Sequence, residues 1–249
     1  MAIVKTPAIV LKSDNYRETS KIVTLYTFTH GKIRCIAKGV RKPNSRWGGN
    51  LQTLAYINIL FYYKDNRNLN LITGAEYIDT FKDIANDNEK LKIGFRIVEL
   101  VNKTTVDYHE NAEIFKLMKE TLLNLNKATK NYENLLFKFE FTLAKLLGFE
   151  IDFKKFNLYD RPGINKSDGY LNRNKENTMA VETLKDSKVS YSNMEQGFYD
   201  LLRNGNFADI MEFNILSTLS KKVDNYFELH FREHIENIGI LKTRKILNS

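Results

Sequence analysis

The chain has 249 residues, 43% of them hydrophobic, which is enough for a substantial core in one large domain or two modest ones without covalent staples. Its single cysteine excludes an internal disulfide and every cysteine-based zinc ribbon, and it fits a reducing cytoplasm. The net charge is +8, and residues 1–80, with twelve Lys and Arg against five Asp and Glu, already carry a surplus of seven, so an anionic partner is expected at the N-terminal part.

Residues 3–80 are rich in Ile, Val, Thr, Tyr and Phe and break at Asp14-Asn15, His30-Gly31, Gly48-Gly49-Asn50 and Asp65-Asn66-Arg67-Asn68. Those breaks predict five strands, over 3–13, 20–29, 32–39, 51–64 and 69–79. Five short strands with tight turns suit a small closed barrel of the OB type, with an SH3-like barrel as the alternative. Within the third strand Ile33, Cys35 and Ala37 share one face while Lys32, Arg34, Ile36 and Lys38 share the other. Beyond Gly39 the run Arg41, Lys42, Pro43, Asn44, Ser45, Arg46 reads as a mobile cationic loop, since proline has no donor for a ladder and the polar residues bury little. Between Glu18 and Asp65 there is no acidic residue, whereas Lys21, Lys32, Arg34, Lys38, Arg41, Lys42, Arg46 and Lys64 are all present. A nucleic-acid backbone would feel that field, although a solvated lysine-rich surface is the ordinary explanation of such runs.

After Phe81 the period becomes helical. Leu91, Phe95, Val98 and Val101, then Ile114, Leu117, Met118 and Leu122, then Leu135, Leu136, Phe139 and Leu143 make three apolar stripes, the last ending at Leu147-Gly148. Residues 149–191 read as an irregular insert. Helical signal resumes at Ser192-Asn193-Met194-Glu195, which has capping-box spacing, and a long amphipathic helix follows near Glu212 to Ile235. A short basic tail, Leu241 to Leu247, closes the chain. The predicted class is α+β: an N-terminal five-stranded OB-fold β-barrel (1–80) followed by an α-helical domain (81–249) with the irregular insert. The most apolar run, Leu54 to Tyr63, is too short to span a bilayer and contains Asn58, and no signal peptide is visible, so a soluble protein is expected.

Nucleotide-binding and hydrolase signatures are absent: no phosphate-cradling G-x-x-x-x-G-K-[ST], no G-x-G-x-x-G and no G-x-S-x-G. His230-Phe231-Arg232-Glu233-His234 does match H-x-x-E-H, with both histidines on one helical face, so a metal-dependent hydrolase built on His230, Glu233 and His234 is the enzymatic alternative; chance in a Glu- and His-bearing helix is the competing explanation. His30 reads as a turn residue, His109 as an exposed linker histidine and Cys35 as a small buried hydrophobe. Tyr16, Tyr26, Trp47, Tyr62 and Tyr63 interleave with the cations; most of them are expected in the core, and Trp47, beside Arg46 and two glycines, is the stacking candidate.

The opening AIVLKSDNYRETSKIVTLYTFTHGKIRCIAKGVRKPNSRWGGNLQTL, continued by ILFYYKDNRNLNLITGAEYIDTF, FEFTLAKLLGFEIDF and HIENIGILKTRKIL, closely resembles the RecO family of bacterial recombination mediators. The resemblance implies an OB-fold domain joined to a helical domain, a cytoplasmic, nucleoid-associated protein with no cofactor, and no enzymatic activity. It implies binding to single- and double-stranded DNA, annealing of strands coated with single-strand binding protein, recognition of that protein's acidic C-terminal tail, and cooperation with RecR in loading RecA. By position it makes Lys32, Arg34, Lys38, Arg41, Lys42 and Arg46, with Arg17 and Lys21 as additions, the DNA-facing candidates, which Trp47 joins as the stacking candidate; the charge of Lys242, Arg244 and Lys245, with Leu241 and Ile246 beside them, suits the acidic tail. Many members carry a four-cysteine zinc module in the insert; here Phe156 and Tyr159 occupy the first pair of positions and no cysteine follows, so no zinc is expected. An RNA-binding OB protein is the other alternative to a DNA mediator.

Overall fold

The computed structural model describes residues 2–63, 68–153, 183–236, 238 and 241–243, with no side-chain description for 183–193. Most of the 149–191 insert, including Phe156 and Tyr159, therefore lies outside the described residues, as do Lys64, Arg244, Lys245 and Ile246.

Five strands form a closed barrel in the order β1-β2-β3-β5-β4: β1 Ala2–Tyr16, β2 Ser20–Thr27, β3 Gly31–Ala37, β4 Tyr56–Tyr63 and β5 Asn70–Asp79. This is the expected five-stranded barrel, and its closure leaves no open sheet edge. Strand β1 is long enough to serve two neighbours: Ala2 to Ile9 pair with β4, while Ala8 to Tyr16 pair with β2 across a bulge between Val10 and Lys12. A short parallel pairing of Cys35, Ile36 and Ala37 with Asn70, Leu71 and Ile72 closes the ring. Period-2 alternation fills the interior with Val10, Val23, Leu25, Ile33, Cys35, Ile57, Ile59, Phe61 and Ile72.

The predicted fourth strand begins too early. Residues 51–55 are not strand; a 3₁₀ turn at Gly48–Asn50 leads into a segment whose Leu51, Leu54 and Ala55 are buried. Leu54 takes a left-handed φ of 76°, tied by its N–H to the Val10 carbonyl at 2.9 Å. An apolar run alone does not distinguish a strand from a buried crossing segment.

The helices are α1 Lys82–Asn86, α2 Asn88–Thr104, α3 Ala112–Lys127, α4 Tyr132–Leu146, α5 Thr183–Asn204, α6 Phe207–Glu212 and α7 Ser217–His234. Asp87 and Asn111 cap α2 and α3 by accepting backbone N–H bonds, and Gly148, with φ 90°, ends α4 as expected. Two boundaries differ from the sequence reading. Helix α5 runs through Ser192 from Thr183, and the long helix predicted from near Glu212 begins only at Ser217, after the separate α6, whose Asn206 and Asp209 form a capping box. In the first stripe Val98 and Val101 are buried and Leu91 packs against the core, but Phe95 is exposed, and Ile93, Arg96, Ile97 and Leu100 complete the buried face of α2.

Arg96 is buried between α2, α4 and α7, its Nε and Nη2 each 2.9 Å from Glu140 Oε1 and its Nη2 3.3 Å from Asp224 Oδ1. Burial works against the guanidinium charge, but the two carboxylates outweigh it and raise its pKa above the ordinary value. The barrel interior is one core and the helices build a second, which reaches onto the outside of the barrel. Ile9, Leu11, Tyr26 and Leu54 leave the barrel's outer surface to pack with the helical residues. Leu54 is seated on Gly94 of α2, where a Cβ would lie 3.1 Å from its Cδ1.

Candidate nucleic-acid interface

The β3 ladder sets the cations. Ile33, Cys35 and Ala37 point into the barrel and are fully buried, which places the remaining residues on the outer surface, where Arg34 pairs across from Thr24 and is exposed. Burial pushes the Cys35 thiol well above its ordinary pKa, as expected of a packed hydrophobe. Lys38 follows at the end of β3, and Gly39, with φ 71°, turns the chain.

That turn brings the loop onto the β1–β2 connection. The Arg41 N–H donates to the Thr19 carbonyl at 2.9 Å, and Arg41 Nη1 donates to the Arg17 carbonyl at 3.0 Å. Between them lies an open groove of about 730 Å³, lined by Tyr16, Arg17, Ile36, Lys38 and Lys42, with Glu18 the one acidic residue on its wall. Arg17 sits 5.3 Å from the centre of the Tyr16 ring, so the groove combines cations with an aromatic face. The loop is built differently from a mobile connection. Lys42 N–H bonds to Gly39, Ser45 N–H to Lys42, Gly48 N–H to Ser45 Oγ and Asn50 N–H to Trp47, a run of consecutive turns. Arg46 is exposed at its far end, and Trp47 is half-buried against the barrel core. Lys21, opposite Ala37, is half-buried on the inward-facing series of β2.

Lys32 does not belong with these residues. It is 9% exposed, and its Nζ donates to the Asn102 carbonyl at 2.8 Å and the Thr105 carbonyl at 2.5 Å, and lies 3.1 Å from Asp107 Oδ1. The last turn of α2 offers unsatisfied carbonyls and the negative end of the helix dipole, and an ammonium answers both. The β3 face is positive by composition, but its first position is covered by the helices. Among the aromatics, Tyr26 is fully buried, Tyr16, Tyr62 and Tyr63 are half-buried, and Tyr63 packs on His30 with centroids 4.7 Å apart. His30 occupies the β2–β3 turn, its N–H bonded to Thr27 Oγ1 at 3.0 Å, and His109 is exposed in the α2–α3 connection.

Residues 1–81 match the family model described as Recombination protein O N terminal, and residues 85–162 match Recombination protein O C terminal. The chain belongs to the RecO family. It is 37% identical to the DNA repair protein RecO of Salinibacter ruber over 59% of its own length and 56% of that relative. It is 28% identical to the DNA repair protein RecO of Chloroherpeton thalassium over 98% of its own length and 97% of the relative. A protein of the same name from Desulforamulus reducens shares 36% identity over 60% of this chain and 56% of its own length. In the first and third of these the match spans little more than half of the relative.

Two other predicted sites change in this RecO-family chain. His230 is buried, its Nε2 is 2.7 Å from the Phe149 carbonyl, and its ring packs against Phe149 and His234. His234 Nδ1 is 2.8 Å from the His230 carbonyl. Both histidines thus meet backbone carbonyls, and no cluster of three or more His, Cys, Asp or Glu able to hold a metal occurs among the described residues. At the other predicted site, Lys242 is exposed but Leu241 is 3% exposed, packed into the helical core, and so is not available to an incoming peptide. No helix among the described residues is long and apolar enough to cross a membrane.

Sequence reasoning missed the roles of Lys32, Arg96 and Glu140. Alternation cannot register a helix packing on a strand's outer face, and a charged residue on a helical stripe reads as surface until its partner 44 positions away is seen.

Proposed function

We propose that this RecO-family chain is a non-enzymatic DNA-binding mediator of recombinational repair, which anneals complementary single strands and, with RecR, helps load RecA onto strands coated with single-strand binding protein. The observation that carries the reading is the convergence of Arg17, Lys38 and Lys42 on one groove with a single acidic residue, with Arg41 bonded to the Arg17 carbonyl. Lysine and arginine arrayed this way neutralise phosphates and release counterions, so binding itself supplies the free energy and no nucleotide cofactor is required. Arg34, Arg46 and Trp47 extend the surface, with Lys21 at its margin, and the basic C-terminal residues Lys242, Arg244 and Lys245 are retained as the meeting place for the acidic tail of single-strand binding protein. The protein is accordingly placed in the cytoplasm, with the nucleoid.

Replacing Lys38, Arg41 and Arg46 together by Ala is expected to weaken DNA binding equally for all sequences. The slope of log affinity against log salt should fall by about 2 on single strands, close to 0.7 for each lost contact. Unchanged affinity and slope would remove the assignment of the site. The activity is read in annealing of complementary strands coated with their binding protein, without ATP and with a chelator present, where the wild-type chain accelerates the reaction and the triple variant does so less. Stronger competition by RNA than by DNA would favour the RNA-binding alternative.

A further inference from the structure

Arg46 and Trp47, later in the same loop, border a second, smaller recess of about 290 Å³ with β4 and β5. Trp47 and Arg46 form its rim, and Asn58, Leu60, Gly74 and Glu76 are among the residues that form its floor and walls. We propose that this recess is a nucleobase pocket, which takes one unpaired base of single-stranded DNA against the Trp47 indole while Arg46 meets the adjoining phosphate. The proposal rests on the DNA-binding reading above and adds a preference for unpaired over paired strands.

Three features support it. First, the recess is pre-formed. Asn50 Nδ2 donates to the Ala75 carbonyl at 2.8 Å and Tyr77 Oη donates to the Gly49 carbonyl at 2.8 Å, so the turn after Trp47 is pinned to β5 from both directions. Gly48 presses on Val40 so closely that a Cβ would lie 1.9 Å from the Val40 carbonyl oxygen. An indole held in this way loses little freedom when a base stacks on it. Second, the chemistry fits. An aromatic face, the apolar Leu60 and an open strip over Gly74 suit a flat ring, and the Asn58 carboxamide has both a donor and an acceptor for a base edge. The volume lies at the lower end for small-ligand sites, the scale of one ring system rather than a base pair. Third, the charge fits. Lys5 lies 3.6 Å from Glu76, which offsets the recess's acid, and exposed Arg46 leaves a positive rim. Lys38, Gly39 and Lys42 line the cationic groove and Arg46 and Trp47 line the recess, so the one loop between them borders both.

Trp47 is the only tryptophan, so its fluorescence reports on this pocket alone. Titration with a single-stranded oligonucleotide is expected to quench it, and titration with a duplex of equal charge to leave it nearly unchanged, with binding followed in parallel by anisotropy of labelled DNA. Trp47→Ala should weaken single-strand binding by roughly 5- to 150-fold, the equivalent of one lost stack, and Trp47→Phe should restore most of it. Gly74→Leu tests the pocket without touching Trp47: a Cβ there meets only the Leu60 Cβ, at 3.7 Å, so the side chain is tolerated by the barrel and fills the recess. It should lower single-strand affinity and spare duplex affinity. Single-strand binding with an ordinary salt slope, no quenching and wild-type affinity for Gly74→Leu would overturn the pocket and leave the cationic groove standing. Absence of binding to either DNA would overturn the proposed function and the pocket together.

Discussion

Lys32 and Arg34 are two residues apart on the same outer face of β3, yet the helices cover one and water the other. The physical difference is what each faces: Lys32 meets the carbonyl end of α2, where its three donors are all answered, and Arg34, across from Thr24, is exposed to solvent. Lys32→Met is therefore expected to destabilise the fold by about 1–3 kcal/mol, because the Asn102 and Thr105 carbonyls lose their buried donor. It should leave the salt slope of DNA binding unchanged. Urea denaturation and a salt titration of the same variant separate the two effects; a reduced slope with unchanged stability would return Lys32 to the DNA surface. Gly31 beside it is constrained twice, by a φ of 59° and by the His109 carbonyl, 2.0 Å from where a Cβ would lie.

At the scale of elements, helix α2 is the joint of the molecule. Its C-terminal turn holds Lys32, its buried face carries Arg96, and its Glu99 holds the C-terminal segment. The Glu99 carboxylate accepts from Lys242 N at 2.8 Å, Thr243 N at 2.9 Å and Thr243 Oγ1 at 2.7 Å, while Lys103 Nζ donates to the Ile238 carbonyl at 2.8 Å. Burial alone would raise the Glu99 pKa, but these bonds and the Lys103 charge more than reverse it and hold it below the usual glutamate value. A depressed carboxylate contributes stability that is present above its unfolded pKa and is lost as pH falls through its folded value. Docking of residues 241–243 should therefore be firm at neutral pH and weaken in acid, below about pH 4. Glu99→Gln should loosen it already at neutral pH and flatten the acid limb, as read by hydrogen exchange of the C-terminal segment; identical exchange in wild type and variant across that range would exclude the clasp.

For the whole molecule, the barrel and the helices were separable in the sequence, since the period changes at Phe81, and the barrel interior is a core of its own, but the helical core takes in the outside of the barrel. Ile9, Leu11, Tyr26 and Leu54 lie outside the barrel interior and are buried in the helical core. Full burial of an aliphatic or aromatic side chain of this size stabilises by roughly 1.5–3 kcal/mol, so the contact surface is comparable with the net stability of a small domain. Calorimetry of the full chain should show the barrel and the described helices melting in one transition, and a fragment ending at residue 80 should be markedly less stable or self-associating. Two well-separated transitions, with a fragment as stable as the barrel in the full chain, would show that the interface adds little.

The sequence determined the local character of almost every element. Alternation at Ile33, Cys35 and Ala37 and the turn residues at His30-Gly31 and Gly39 are enough for the β3 segment, and the stripes in α3 and α4 with Gly148 are enough for two helices. An acid-free run from Thr19 to Lys64 likewise marked the charged surface. These are near-neighbour effects, set by backbone stereochemistry and the period of a strand or helix. Tertiary structure alone decided which cations remain exposed, because burial of Lys32 depends on a helix end some 70 residues away. It decided that Arg41 bonds the Arg17 carbonyl, that Arg96 finds Glu140 across the core, and that Trp47 lines a recess with β5 residues, since each is a contact between segments whose separation no local pattern encodes.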